Sequence, residues 1–441
     1  MKKCVSIINP KDIEKANNTK ADLLELRMDL YPDENLEKLI EKCQKPVIVK
    51  INGAPGFMPV GGQVATHWDK PGGFWIQYID IDYRDSERAN TYSRLFKNNK
   101  NNLIISYHNF QKTPDFKFLD KLVKTGVNKI AVKINKIEDN LVIAKLLKKY
   151  SHKIIAIGMG ELGMMTRLNK RNMISYFALD KHKQSAPGQL TIDQADMKLY
   201  GIIGNPAQHS LSPKMHNLKF KKNKINALYQ IWETENLKNM MQIFREFNLA
   251  GASVTTPFKE EVMKYLDVVD KVAKTIGAVN TIVNKKGKLY GYNTDWYGIV
   301  MAIINCKRIG RRKYVFAPLL HGKQAIILGN GGAAKAAKYG LEKYGAQVKM
   351  LSRKGLNNFT EKFNILINAT PVFNKLLINK ELINKNCLVM DMIYYKKTKL
   401  LQIARQKKAI AFNGLNMLKY QGELQYYYWH KKPEDYSNIT L

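Results

Sequence analysis

Acidic residues and cysteine are both scarce in this chain of 441 residues. Asp and Glu number 37 against 72 Lys and Arg, a formal net charge of +35. Cysteine occurs four times, at Cys4, Cys43, Cys306 and Cys387, with no CxxC pair. That spacing argues against a disulfide framework or zinc ligation, so reduced structural thiols and no metal are expected. No apolar run approaches the roughly 18–20 residues that cross a bilayer. The first ten residues, Met1 to Pro10, contain only a short apolar stretch and no small-residue cleavage site. No signal peptide is read there, and the cytoplasm is the expected location. Arginine-glycine tracts and stacked-aromatic spacing are also missing, so the positive charge reads as lysines spread over solvated surface rather than a specific nucleic-acid face. A basic nucleic-acid-binding scaffold is the rival reading from another class.

What is present is a hydrophobic fraction of 45% arranged in regular runs, enough for two or three folded domains. Short apolar runs at 4–8, 21–26, 46–51, 76–82, 102–107, 128–134, 153–158 and 173–178 alternate with amphipathic stretches at 33–43, 84–98, 114–124 and 136–150. This is the pattern of a (β/α)8 barrel, whose site is built at the C-terminal strand ends. Glu25, Arg27 and Asp29 share one side of an extended chain and suit a carboxylate and hydroxyls. Lys129 lies within a strand, where burial would lower its pKa and free an amine that attacks ketones. His108 would then move protons near neutral pH. Taken singly, a strand lysine also fits a rim charge, and a lone histidine fits a satisfied core residue.

Five motifs occur in order: Glu25-Leu26-Arg27-Met28-Asp29, Ser106-Tyr107-His108-Asn109-Phe110, Lys129-Ile130-Ala131, Met159 with Arg167-Leu168, and Ser185-Ala186-Pro187-Gly188-Gln189. Together they resemble type I 3-dehydroquinate dehydratase over roughly residues 1–195. The resemblance implies a Schiff base between Lys129 and the C3 ketone of 3-dehydroquinate. It implies His108 as the base that takes the C2 proton and then helps expel the C1 hydroxyl. Arg167 would hold the carboxylate, with Glu25, Arg27, Ser185 and Gln189 fixing hydroxyls and ring. One stretch departs from the family, which has an arginine ending strand three and a glutamate before Gly-Gly. Here Lys50 ends the strand, and Ile51 to Val60, preceding Gly61-Gly62, contains no acid. Lys50 replaces the arginine's charge but not its planar fork. A dehydrogenase with an impaired barrel is therefore the nearest alternative.

From Leu199 the α/β pattern restarts. Ser210 and Ser212 sit in a proline-bounded loop, and Lys259 follows a strand and the Thr255-Thr256-Pro257 turn. Asn280 and Asp295 each follow a short apolar strand. Alone, Lys259 reads as an exposed helix-start lysine and Asp295 as an N-cap. Strand 325–328 then runs into Gly329-Asn330-Gly331-Gly332-Ala333-Ala334 and a helix, the turn that binds pyrophosphate on backbone N–H groups. The next strand ends in Ser352-Arg353-Lys354, where an NAD enzyme would carry an acid. A basic pair favours a 2′-phosphate and hence NADP, with surface charge as the other reading.

These residues, with Asn368-Ala369-Thr370-Pro371, Asp391, Tyr394, Gly414, Met417-Leu418 and Gln421, resemble shikimate dehydrogenase over 199–435. The resemblance implies Lys259 and Asp295 as the catalytic pair, and Ser210, Ser212, Thr255, Asn280 and Gln421 around the substrate. Gly329, Gly331, Gly332, Ala333, Ser352, Arg353, Lys354, Thr370 and Gly414 would bind the cofactor. The expected organisation is a barrel over 1–196, an α/β substrate domain over 197–300 completed by 413–435, and a Rossmann domain over 301–412. The two resemblances imply consecutive reactions, from 3-dehydroquinate to 3-dehydroshikimate to shikimate. Small-molecule substrates are the expected partners, with no membrane.

Overall fold

The computed structural model describes residues 1–51, 76–85, 103–306, 320–352 and 359–430. The chain divides into two compact units, Met1–Lys198 with Lys238–Leu249, and Leu199–Leu237 with Ala250–Leu441.

In the first unit eight parallel strands form one sheet: β1 (Lys2–Ile7), β2 (Leu23–Arg27), β3 (Val47–Ile51), β4 (Ile76–Asp82), β5 (Leu103–Asn109), β6 (Lys129–Lys133), β7 (Ile155–Met159) and β8 (Ile174–Ala178). Their order is β7-β6-β5-β4-β3-β2-β1-β8, so consecutive strands are neighbours and β8 returns to β1. Between β7 and β8 the Met173 amide donates to the Ile154 carbonyl at 2.9 Å, and Asn172 Oδ1 accepts from the Ala156 amide at 2.8 Å. All eight strands fall within a few residues of the apolar runs read from the sequence. The expected helix at 84–98 lies largely outside the described residues.

Alternation sorts the barrel interior into tiers. Cys4, Leu23, Ile48, Ile104, Ile155 and Ile174 cluster as apolar filling. Beyond this filling the inward positions turn polar, with Glu25, Lys50, Asp80, Asp82, Ser106 and Lys129, the last at the start of β6, all buried. Register explains their meeting, since Lys50 pairs with Asp80, Asp82 with Ser106, and Ser106 with Lys129. In-register neighbours in a parallel sheet point to the same face.

The second unit holds two sheets. The first comprises β9 (Lys198–Gly204), β10 (Ala227–Glu233), β11 (Gly251–Val254), β12 (Val268–Val269), β13 (Thr281–Lys285) and β14 (Lys288–Tyr292), in the order β10-β9-β11-β13-β14-β12. The second is fully parallel, with β15 (Gln324–Leu328), β16 (Gln347–Leu351), β17 (Ile365–Asn368), β18 (Leu388–Asp391) and β19 (Ile410–Asn413) in the order β16-β15-β17-β18-β19. That is a doubly wound nucleotide-binding sheet. Helix Leu415–His430 follows β19 and returns to the first sheet, where Trp429 Nε1 donates to the Ile282 carbonyl at 3.0 Å.

Beneath this helix, His216 is fully buried, stacked on Tyr229 at 4.7 Å and beside Trp429 at 4.9 Å. Burial pulls its imidazole down to about 3. An unfolded histidine titrates near ~6.5, so above that pH both states are neutral and the site costs nothing. As pH falls from ~6.5 toward 3, only the unfolded state gains the proton, and stability drops by up to ~1.4 kcal/mol per pH unit. His216→Gln should flatten this term. Urea unfolding at pH 6.5 and 5 should show wild type losing about 2 kcal/mol more than the variant. Equal losses would contradict the assignment.

Candidate active sites

The barrel end encloses a cavity of about 270 Å³. Glu25, Arg27, Lys50, His108, Lys129, Arg167, Ser185 and Gln189 all line it, so the structure gathers every barrel residue singled out in the sequence.

Behind the lining residues Lys129 and Lys50, the Asp80 carboxylate is completely buried between the two lysines. It accepts a hydrogen bond from Lys129 Nζ on one oxygen and lies 3.5 Å from Lys50 Nζ on the other. Glu25 Oε1 is 3.6 Å from Lys129 Nζ, and the Tyr176 ring lies under the ammonium at 4.0 Å. The expectation that burial would lower the Lys129 pKa is overturned. Burial pulls it down, but the charges of Asp80 and Glu25 outweigh that pull and hold it above the ordinary lysine value. Lys50 is the amine that burial lowers. The two ammonium groups hold Asp80 well below the usual carboxylate range despite its burial. Lys129 is therefore held as the ammonium, in contact with the carboxylates of Asp80 and Glu25.

Arg167 is buried, with Nη1 donating to the Tyr176 carbonyl at 3.3 Å and Nε without a partner. Burial lowers its pKa to about 10. An unspent buried guanidinium facing a cavity is a receptor for an anion. Arg27 is already engaged, its Nε and Nη2 donating to the Asp29 carboxylate at 2.8 and 2.7 Å. Over the mouth, Gln189 Oε1 accepts from the Ser185 amide at 2.7 Å and from Ser185 Oγ at 3.0 Å. The loop is held down at Gly188, whose φ is +73° and where a Cβ would stand 2.4 Å from the Gly160 carbonyl oxygen.

His108 is mostly buried and stacks on the exposed Phe110 ring at 5.9 Å. Its Nδ1 faces Asp82 Oδ2 at 3.9 Å. Asp82 also accepts from Arg84 Nε at 2.8 Å and Nη2 at 3.1 Å. The sequence reading missed Asp80 and Asp82. Their signal is the alternation Ile79-Asp80-Ile81-Asp82, two acids on one face of an otherwise apolar strand.

The second unit has its own lysine–carboxylate pair. Lys259 Nζ is 2.6 Å from Asp295 Oδ2, and Asn280 Nδ2 donates to Asp295 Oδ1 at 2.8 Å. Gln421 Oε1 lies 3.4 Å from both Asn280 Nδ2 and Thr294 Oγ1. Buried contacts continue outward: Gln425 Nε2 donates to the Asn280 carbonyl at 3.1 Å, Ser253 Oγ donates to Gln425 Oε1 at 2.8 Å, and the Tyr229 hydroxyl donates to Ser253 Oγ at 2.6 Å. Tyr229 also bonds Ser212, whose amide donates to Ser210 Oγ at 3.2 Å. The Tyr394 hydroxyl bonds the Ser210 side chain. Thr255 closes against Gly204, where a Cβ would sit 2.2 Å from its Cγ2. Tyr229, Ser253, Thr294 and Gln425 are the members of this set that the sequence reading did not single out.

The glycine turn leaves β15 and starts helix Gly332–Lys343. Gly329 has φ +114°, and a Cβ there would lie 3.3 Å from Thr370 Cγ2. At Gly331 a Cβ would meet nothing within 4 Å, the open side a pyrophosphate needs. At Gly332 it would come within 3.2 Å of Lys259 Cβ, so this first turn abuts the lysine. Ala333 lies in the same turn, and Ser352 is exposed just past β16. Arg353 and Lys354 lie outside the described residues. Gly414 packs on the segment after β18, with the Met392 oxygen 2.2 Å from a Cβ there. These residues fit a bound dinucleotide. Among the described residues no cluster of His, Cys, Asp and Glu could hold a metal ion, and no helix is long and apolar enough to cross a membrane.

Comparison with known proteins finds relatives of both halves of the chain. A family model described as type I 3-dehydroquinase matches residues 8–205, and the shikimate dehydrogenase substrate binding domain matches 202–282. A bifunctional 3-dehydroquinate dehydratase/shikimate dehydrogenase of Arabidopsis thaliana, described as chloroplastic, is 32% identical over 94% of this chain and 78% of its own. An NADP(+) shikimate dehydrogenase of Pyrococcus furiosus is 40% identical over 53% of this chain and 90% of its own. That of Aquifex aeolicus is 36% identical over 55% and 95%.

The buried carboxylate generates a prediction. Asp80→Asn leaves two buried ammonium groups with only Glu25 nearby, which should cost about 3–5 kcal/mol of barrel stability. Denaturant unfolding at neutral pH reads this directly. A loss under about 1 kcal/mol would mean that Asp80 is not the counter-ion the geometry describes.

Proposed function

The chain belongs to the bifunctional 3-dehydroquinate dehydratase/shikimate dehydrogenase family, and from that premise we propose which residues carry each of two consecutive reactions. The barrel dehydrates 3-dehydroquinate to 3-dehydroshikimate, and the second unit reduces that product to shikimate. The observation that carries the reading is the pair of separate lysine–carboxylate centres, Lys129 with Asp80 and Lys259 with Asp295.

In the barrel, the deprotonated Lys129 adds to the C3 ketone and water leaves, giving an iminium. The iminium draws electrons from C2, so His108 removes the C2 proton and an enamine forms. His108 returns that proton to the C1 hydroxyl, which departs as water. Hydrolysis of the remaining iminium frees the product and Lys129. Arg167, with its unspent Nε, receives the substrate carboxylate. Glu25, Arg27, Ser185 and Gln189 bear on the hydroxyls and ring, and Lys50 supplies positive charge at the strand-three position. The gathering of these residues around one cavity favours a working barrel over an impaired one.

In the second unit NADPH is the proposed cofactor, supplying hydride to C3 of the substrate. Gly329, Gly331, Gly332, Ala333, Thr370 and Gly414 would hold it, and the sequence Ser352-Arg353-Lys354 would supply the charge for a 2′-phosphate. Lys259 donates the proton to the C3 oxygen while Asp295, itself held by Asn280, aims the ammonium. Ser210, Ser212, Thr255, Asn280 and Gln421 hold the carboxylate and hydroxyls. We place the substrate domain at 197–300 with 413–435 and the nucleotide domain at 301–412. The cytoplasm is the proposed compartment.

Two experiments test the roles. Borohydride added with 3-dehydroquinate should leave a reduced adduct on the peptide containing Lys129; recovery of that peptide unmodified would remove the Schiff-base role. Lys259→Ala should lower NADPH oxidation with 3-dehydroshikimate by about 10²-fold or more while cofactor affinity stays near wild type. Near-normal turnover in that variant would contradict the assignment.

A further inference from the structure

A base that shuttles protons twice in one turnover needs its ring held and its basicity set. The geometry points to Asp82 as the positioning residue for His108. It is the carboxylate in contact with the imidazole among the described residues, with Oδ2 at 3.9 Å from Nδ1. This rests on the dehydratase reading above and goes beyond it, since no role had been given to Asp82.

Three observations support it. Asp82 ends β4 with its side chain 7% exposed and lines the same cavity as His108 and Lys129. Its carboxylate cannot wander, because the Arg84 guanidinium grips both oxygens and the Arg84 amide donates to Oδ1 at 3.0 Å. Register seats β4 beside β5, with Asp82 opposite Ser106, two residues before His108 on the same face. The stretch from Ile51 to Val60 contributes no acid. Asp82 is therefore the described residue that supplies this contact.

The groups acting on His108 come from several strands. Burial lowers its pKa, Asp82 raises it, Lys50 on β3 and Lys129 on β6 lower it, and Asp80 on β4 raises it. Arg84 acts through Asp82, drawing off part of its charge. The base works when neutral, so the acid limb of the rate profile follows the His108 pKa. Removing the carboxylate moves that limb to lower pH and weakens the base. Freeing the carboxylate from Arg84 moves it to higher pH. Opposite shifts from two neighbouring substitutions are not expected of a purely structural contact.

The test uses the full chain and 3-dehydroquinate, reading kcat, KM and kcat/KM against pH. Asp82→Asn should lower kcat by about tenfold or more with little change in KM, and shift the acid limb downward. It should still form the borohydride adduct at Lys129, which reports an intact first step. Asp82→Glu, which keeps the charge, should recover most of kcat. Arg84→Ala, at an exposed residue, should shift the limb upward whether or not Asp82→Asn folds. An unmoved limb in Arg84→Ala, or a change confined to KM in Asp82→Asn, would overturn the role. Failure of the dehydratase reading looks different: wild type would neither turn over 3-dehydroquinate nor form the adduct.

Discussion

A buried carboxylate governs the barrel half of this molecule. Asp80 has no exposed surface and sits between the cavity-lining Lys129 and Lys50. Neither an isolated buried acid nor an isolated buried ammonium is tolerable in a barrel interior, and the pairing makes both so. It also dictates register, because β3, β4 and β6 must align for the three side chains to meet. The same contact sets the chemistry. Asp80 and Glu25 hold Lys129 above the ordinary lysine value despite its burial, and Arg167 Nε stands without a partner beside the same cavity. Stability and reactivity at this site are one electrostatic arrangement.

The second unit solves a related problem differently. The Lys259 side chain is 15% exposed against 6% for Lys129, and its partner Asp295 is fixed by Asn280, which is in turn fixed by Thr294 and Gln425. A nucleophile for imine formation benefits from enclosure, where water is excluded. A proton donor for an alkoxide needs aim and renewal from solvent. The two lysines differ in exposure in the direction those roles require. The first turn of helix Gly332–Lys343 rests against Lys259, and the ion pair of Lys335 with Glu260 at 2.7 Å ties the same turn to the residue after it. The glycine turn and the Lys259–Asp295 pair are thus built on one contact surface.

Much of this was legible in the sequence, for physical reasons. Period-two apolar runs located all eight barrel strands, and the glycine turn after β15 announced the nucleotide-binding sheet. The inward residues Glu25, Lys129 and His108 were readable because polar side chains at strand ends have few structural uses. Asp80 and Asp82 escaped notice because they sit inside an apolar run, and a reading that counts hydrophobics passes over acids spaced by two. The Lys129 pKa direction was misjudged for the same reason: burial is visible in a pattern, but a counter-ion from another strand is not. Gln425 was illegible because it bonds Ser253 and Asn280 across more than a hundred residues of chain, and Tyr229 because its partner Ser253 lies on another strand.

The central claim is that one polypeptide carries two working centres in sequence. It is tested most directly by supplying 3-dehydroquinate and NADPH to the purified chain and following NADPH absorbance together with shikimate formation. The account predicts oxidation of NADPH after a lag as 3-dehydroshikimate accumulates, with one shikimate formed per NADPH consumed. NADPH oxidation with 3-dehydroshikimate but none with 3-dehydroquinate would contradict it, leaving a dehydrogenase joined to a silent barrel.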